Sequence, residues 1–396
     1  MKIRRQLKKS LRLFRMTIKK NKNIHMNKYC RFILGFIFTY TGMITNAQEK
    51  TTITTRVLKG KIGSIPVGMV LKQKEKESKL SGYYFYETKG QPIRLLGEIA
   101  PSKVTTILTA YLDQGMEKFL INYDVEGYEG KWTDKDNKTT LPVFLTFTGR
   151  EYTQTLFQVT DSIYYEKDNT RTPRCDYKVA VTWPISNDIR SAFIKKQLMA
   201  KLDPQKKVNV TWMPGILEAL KKNYQEEFLT SLKNISKSDI SGSAASFNNI
   251  FDAKHEIEFH TDKMATIHHL TYTYTGGAHG STEHSFSNLD LQKMKPITLQ
   301  DMFTPLGIQQ LPALIDKKFR TDRKLKPSAS LKEAGLFNDK INSASKEYFV
   351  TPLGIGFFYN QYEIAPYAAG AIEVFLPFST LQTYILPAFK KYLASN

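Results

Sequence analysis

The chain's histidines are the residues that most invite a chemical reading. Six of the seven fall between positions 255 and 284: His255, His260, His268, His269, His279 and His284. Neutral imidazole is a common metal ligand and a ready proton carrier near neutral pH, so the clustering raises a metal site and an acid–base site together. Spacing weighs against the metal. His255 and His260 are five residues apart, which puts them on opposite faces of a strand, and the neighbours His268 and His269 also point apart. "HEIEFH" carries one residue too many for the helical zinc pair. No motif asks for a cofactor.

The stretch "YTYTGGAHGSTEHSFSNLDLQ", residues 272–292, holds His279 behind Gly276-Gly277. It lacks the Gly-x-Ser-x-Gly pattern of a nucleophile elbow and the spacing and Lys of a phosphate loop. Its glycines read as a tight inter-strand corner, where positive φ or close backbone approach is required and where His279 is left exposed. Glu256, Glu363 and His279 are the groups that a hydrolytic mechanism would have to recruit. Cys30 precedes the expected cleavage point described below, which leaves Cys175 alone, without an intrachain disulfide partner; burial as a small apolar residue is the expectation for it.

These residues need elements to hold them. Strands are expected at 254–260, 264–275 and 284–291 from their alternation. A turn at 261–263 pairs the first two, with His255 opposite His269, Glu256 opposite His268, Ile257 opposite Ile267, Glu258 opposite Thr266 and Phe259 opposite Ala265. A short helix follows near 299–304, another at 307–320, and late strands at 355–361 and 371–376. Upstream, residues 51–165 read as short antiparallel strands broken by Gly, Pro, Asn and Asp, with a hairpin turning near Lys89-Gly90 and residues 83–86 alternating faces. The polar stretch at 166–174 marks a boundary. Beyond it "CDYKVAVTWP" is a strand, "SNDIRSAFIKKQLMAKL" a helix capped by Ser186 or Asn187 with Ile189, Phe193, Leu198 and Leu202 recurring, and 214–232 a second helix led by Pro214 with Ile216, Leu220, Tyr224 and Phe228 on one stripe. "SKSDISGSAASFNN" reads as a loop. Runs of strands with clumped helices predict an α+β protein.

The start of the chain sets an expected address. From Met26 a short basic segment, an apolar run from Phe32 to Ile44 and small residues at Thr45 and Ala47 form a signal-peptide pattern cleaved after Ala47. The apolar run is short for a membrane span, so an exported protein without a transmembrane anchor after cleavage is expected, periplasmic or extracellular. Twelve of the 57 basic residues and none of the 37 acidic ones lie in residues 1–47, which leaves 45 against 37, a surplus of +8 rather than the +20 of the whole chain. Scattered lysines account for that surplus, and no nucleic-acid module accompanies it. The expected organisation is a signal peptide at 1–47, an antiparallel β domain at 48–168, an α+β domain at 169–260 and a C-terminal domain at 261–396.

"TYTGGAHGSTEHSFSNLDLQKMKPITLQDMF", residues 273–303, and "FFYNQYEIAPYAAGAIEVFLPFSTL", residues 357–381, resemble in order the two signatures of the RsiV-type extracytoplasmic domain. Residues from about 174 to 260 are similar to the PdaC-type domain that commonly precedes it. The resemblance implies a binding module of the cell envelope, since one member of the family binds lysozyme directly and another accompanies a peptidoglycan deacetylase. It therefore points to an envelope glycan or a lysozyme-like muramidase as partner, with an enzyme acting on such a glycan as the alternative. The matching residues are Gly276, Gly277, Ala278, His279, Tyr362, Glu363, Pro366, Tyr367 and Gly370, and Gly276, Gly277, His279, Tyr362, Glu363 and Tyr367 are carried as a binding surface. Charge sets a condition on the lysozyme reading. Residues 171–396 hold 28 basic and 21 acidic residues, so a basic partner requires a local acidic patch.

Overall fold

A computed structural model describes residues 47–102, 104–112, 115–167 and 169–394; the expected signal peptide, apart from Ala47, lies outside them. Eight strands come first: β1 (Ala47–Ile62), β2 (Ile65–Lys74), β3 (Lys79–Tyr86), β4 (Ile93–Ile99), β5 (Thr105–Leu112), β6 (Gly115–Asp124), β7 (Gly127–Thr133) and β8 (Thr140–Tyr164). Each is antiparallel to the next, and β8 returns to pair with β1, which closes an up-and-down barrel. Period-two alternation puts Leu58, Met69, Tyr84, Leu108, Phe119, Ile121 and Val143 in the interior without exposed surface. The positions between them, such as Lys59, Lys118, Glu129 and Lys131, face water. The outer face also carries exposed apolar side chains, among them Ile107, Leu120 and Phe144. Inside it the buried Glu117 carboxylate accepts from the Tyr84 hydroxyl and, at 3.3 Å, from the Trp132 indole N–H.

Closure depends on glycine at two points. Gly60 of β1 lies opposite Leu145 and Gly127 of β7 opposite Thr146, so β8 is gripped from both sides. A Cβ at Gly60 would stand 1.8 Å from the Phe144 carbonyl oxygen, and one at Gly127 would stand 1.8 Å from that of Leu145. Backbone must move to admit either. Gly60→Ala and Gly127→Ala should each lower stability by about 1–3 kcal/mol, read as a drop in the urea midpoint; an unchanged midpoint for both would mean that the seam is not held this tightly.

The long β8 carries the sheet onward. Its second half pairs antiparallel with β9 (Arg174–Pro184), which lies parallel to β10 (Asn249–His260). Parallel neighbours need a crossover, and it contains α1 (Ile189–Leu202), α2 (Met213–Ser231) and the short α3 (Lys237–Gly242). β11 (Met264–Tyr274), β12 (Ser281–Asp290) and the two-residue β13 (Lys295–Pro296) extend the sheet antiparallel. The sheet thus runs through the polar turn near 168 and through the β10–β11 hairpin at 261–263. One face is covered by the helices: Ile194 and Leu198 of α1 and Ile216, Leu217 and Phe228 of α2 pack on Val159, Tyr177, Val181 and Ile257.

The other face meets the outside of the barrel and a separate three-stranded sheet. That sheet is β14 (Tyr348–Thr351), β15 (Gly354–Tyr359) and β16 (Ile372–Pro377). It is backed by α4 (Leu299–Met302), α5 (Pro305–Asp322) and α6 (Pro387–Ala394), with Leu311, Ile315 and Phe319 of α5 against Phe357, Val374 and Leu376. Tyr83 of β3 packs edge-on to Phe259 of β10 at 4.8 Å, and Phe259 stacks on Phe349 of β14 at 5.6 Å. Three units therefore share one aromatic junction.

The α+β class agrees with the sequence reading, and particular elements do not. The α1 N-cap is Asp188, whose carboxylate accepts from the N–H groups of Arg190 and Ser191 while Ser186 braces it. The buried stripe is therefore Ile194 and Leu198, and Ile189 is 73% exposed. The stretch expected as a loop around 236–249 holds α3, capped by Ser236, and a 3-10 turn.

Candidate functional site

The β10–β11 register is as expected at His255/His269, Glu256/His268 and Ile257/Ile267. A bulge then intervenes, and Phe259 lies opposite Thr266 and His260 opposite Ala265. The extra residue changes which face the strand presents, and this carries Phe259 to the aromatic junction. The histidines separate into different environments. His255 and His269 share a hydrogen bond between their Nδ1 atoms at 2.8 Å, and His269 Nε2 lies 3.0 Å from Ser287 Oγ. His268 bonds His284 at 2.9 Å and lies 3.5 Å from Glu258. His260 stacks on Tyr152. Burial pushes His255 and His260 down to about 4, and His269 and His284 down to about 3. His255, His260, His269 and His284 are neutral at neutral pH. No group of three or more His, Cys, Asp or Glu able to hold a metal occurs among the described residues.

His279 is the exception, because it is exposed. β11 and β12 end at the glycine corner, where Gly276 and Gly277 have φ of 98° and 86°. Both expected reasons for glycine apply: positive φ at each, and at Gly276 a Cβ would also stand 2.9 Å from the Ser246 carbonyl oxygen. The Tyr274 hydroxyl donates to the Gly277 carbonyl at 2.9 Å and fixes the loop. His279 projects beyond it and stacks on Tyr367, ring centres 3.8 Å apart and planes 20° from parallel. Its Nδ1–H donates to the Gly280 carbonyl at 3.1 Å, which leaves Nε2 to accept from the Tyr362 hydroxyl at 3.3 Å. Tyr362 and Tyr367 are 5.7 Å apart and Tyr362 is 56% exposed. The two sequence signatures therefore meet as one aromatic platform.

What brings the second signature there is the open edge of β12. The N–H groups of Thr282, His284 and Phe286 point along that edge and donate to the side chains of Gln361 at 3.4 Å, Asn360 at 2.8 Å and Glu347 at 3.1 Å. The Asn360 amide also donates to the His284 carbonyl at 2.9 Å. Side chains stand in for a missing strand, satisfying an edge that would otherwise be exposed. They also pin the 360–363 turn, so Tyr362 sits at φ 66°, a left-handed conformation unusual for a bulky residue. Strain held by surrounding contacts is a recurring mark of functional positions.

Glu363 is a clamp in this arrangement. One oxygen accepts from the Asn360 N–H at 2.9 Å and the other from the Ser345 hydroxyl at 3.2 Å. Glu256 lies elsewhere, in the barrel–sheet contact with Lys72. The three groups that hydrolysis would recruit are thus not arranged as an acid and a base around one space. The Cys175 thiol is fully buried and pushed up to about 12 by that burial, with Asp176 adding to it, so it is no nucleophile at neutral pH.

Glu347 lies within electrostatic range of Glu283 and Glu363. Burial raises Glu347 above the usual carboxylate range, and the charges of Glu283 and Glu363 add to the rise. Glu283 and Glu363 are exposed, while Glu347 is committed to the Phe286 N–H and has Lys201 within electrostatic range. Asn360, Gln361, Glu347 and Glu283 carry no motif of their own; their roles follow from the edge of β12.

Residues 300–379 match the family model described as a protein of unknown function (DUF3298). A DUF3298 family member from Bacteroides fragilis has a similar structure, with a TM-score of 0.53 at 21% identity over 58% of this chain and 91% of its own. A DUF3298 family protein from Pseudomonas aeruginosa aligns over 59% of this chain and 94% of its own at 18% identity and a TM-score of 0.42. No curated protein matches the chain. The first likeness is one of fold. The segment that matches the DUF3298 model, residues 300–379, supplies Tyr362 and Tyr367, while His279 comes from the strands before it.

Proposed function

We propose that this chain is an exported binding protein of the cell envelope and that it holds its partner on the His279–Tyr362–Tyr367 platform. The observation that carries this reading is the meeting of two signatures 83 residues apart in one exposed stack. Rigid aromatic rings with polar tips supply contact area at low entropic cost, and such residues dominate recognition surfaces. Both nitrogens of His279 are engaged and one face lies on Tyr367, so its open ring face, more than its proton chemistry, is what it offers.

The partner is an envelope glycan of the peptidoglycan kind or a lysozyme-type muramidase. The exposed carboxylates of Glu283 and Glu363 favour the second. Carboxylates attract a basic protein surface and repel the carboxylates of peptidoglycan. Assignment of 261–396 as RsiV-type and 169–260 as PdaC-type belongs to this proposal, as does export, which rests on the pattern at 26–47.

The test is a pull-down of the purified chain on immobilised lysozyme and on peptidoglycan sacculi. His279→Ala and Tyr367→Ala should each weaken binding about thirtyfold with the unfolding midpoint unchanged. Wild-type retention on neither support, or variants that bind like wild type, would remove the proposal.

A further inference from the structure

A second site lies on the opposite side of the DUF3298-matching segment from the β12 edge. The β3–β4 turn of the barrel there faces the β14–β15 turn, the 3-10 turn after β16 and α6, and between them is a groove of about 460 Å³. Junctions of separately packed units are frequent positions for small-molecule sites. Its walls are fixed. Gly90 has φ 65° and lies so near Leu353 that a Cβ would stand 2.7 Å from the leucine Cβ. The Phe378 N–H donates to the Leu353 carbonyl at 2.8 Å, and the Gln382 amide donates to the Phe378 carbonyl at 2.8 Å. Leu353, Phe378 and Leu393 give the lining an apolar character, while Lys89, Lys390 and Ser379 supply donors.

Charge decides what fits. Lys89 and Lys390 make no ion pair among the described residues, and Glu87 is the only carboxylate on the lining. We propose that this groove is a binding site for an organic anion with a compact apolar body, its carboxylate or sulfonate held by Lys89 and Lys390 and its body lying on Leu353 and Leu393. The site is separate from the aromatic platform and does not depend on that reading. It does tie the barrel to the DUF3298-matching segment, so an occupant stabilises their contact by binding only when both are in place.

The experiment uses the full chain and two fluorescent probes of similar shape, the anion 1-anilinonaphthalene-8-sulfonate and the neutral N-phenyl-1-naphthylamine. The anion should bind at one saturable site. Lys89→Glu with Lys390→Glu should weaken it about tenfold or more and leave the neutral probe within about twofold. Ser379→Trp, which fills the groove, should abolish both. Leu120→Ser is the control, because it breaks the exposed apolar pair Ile107–Leu120 on the barrel wall and should change nothing. Absence of saturable binding overturns the proposal. So does anion binding that survives the lysine changes, or binding that Leu120→Ser removes while Ser379→Trp spares it.

Discussion

Replacing Lys72 by Met should lower the stability of the chain by about 1–3 kcal/mol. Lys72 projects from β2 of the barrel and its ammonium donates to Glu256 and to the Ile257 carbonyl of β10, both at 3.0 Å. The two side chains are 9% and 16% exposed, so the pair is largely out of water. Burial alone would raise the Glu256 carboxyl; Lys72 and Lys254 more than offset this and hold it below the usual range. Deleting Lys72 leaves the largely buried Glu256 carboxylate with Lys254 as its remaining cation and orphans a carbonyl, and that penalty is larger than the worth of an exposed pair. A second variant separates this from simple loss of packing. Lys72→Met with Glu256→Gln removes the charge along with its partner and should recover about half of the loss. Denaturant unfolding of both reads the result. A loss below about 1 kcal/mol for Lys72→Met would mean that the barrel does not rest dry against the sheet.

Acid should unfold the protein well before its carboxylates titrate. His255 and His269 are 6% and 2% exposed, with values near 4 and 3 against about 6.5 in an unfolded chain. The unfolded chain therefore gains protons as the pH falls through about 6.5, while the folded chain refuses them until about 4 and 3. Stability is fully present above 6.5 and lost as the pH falls toward those values. At pH 5 each ring has cost roughly 2 kcal/mol. The pair geometry agrees, since a proton on each ring would put two donors face to face across 2.8 Å. His260 and His284 act with the same sign, and Glu256 and Glu258, held low in the fold, contribute a further loss below about 4.5. Asp252 and Glu347, raised by burial, oppose it. The urea midpoint should fall steeply from pH 7 to pH 5. His255→Gln with His269→Gln should flatten that fall while lowering the midpoint at pH 8. A midpoint that is level between pH 7 and 5 in the parent chain would contradict this account.

How much of this was legible in the sequence depended on how local each signal is. The pairing of His255 with His269 follows from alternation and a three-residue turn, both within fifteen residues, and it holds as far as Ile257. The bulge beyond it does not alter composition, and its cause lies in the barrel and β14, which need Phe259 on their side. Barrel closure was hidden for a similar reason. β1 and β8 meet about a hundred residues apart, and the close approach at Gly60 leaves no mark in its own segment that names β8 as the partner. Lys72 and Glu256 are 184 residues apart and neither is unusual in its own segment. For the platform, family likeness singled out Gly276, Gly277, His279, Tyr362, Glu363 and Tyr367, and the fold brings His279, Tyr362 and Tyr367 into contact. It could not separate the roles: the glycines shape the corner, Glu363 clamps the turn, and the three rings are offered to solvent. Asn360, Gln361 and Glu347 were not found, because an amide or carboxylate becomes a strand substitute only beside an edge that lacks one.

The most direct test of the central claim is a hydrogen-exchange footprint of the full chain with and without lysozyme at saturating concentration. The account predicts that protection appears together in peptides covering 272–284 and 360–370 and is lost from both in Tyr367→Ala. Protection confined to one of the two segments, or located on the barrel while both stay unchanged, would show that the two signatures do not form one recognition surface.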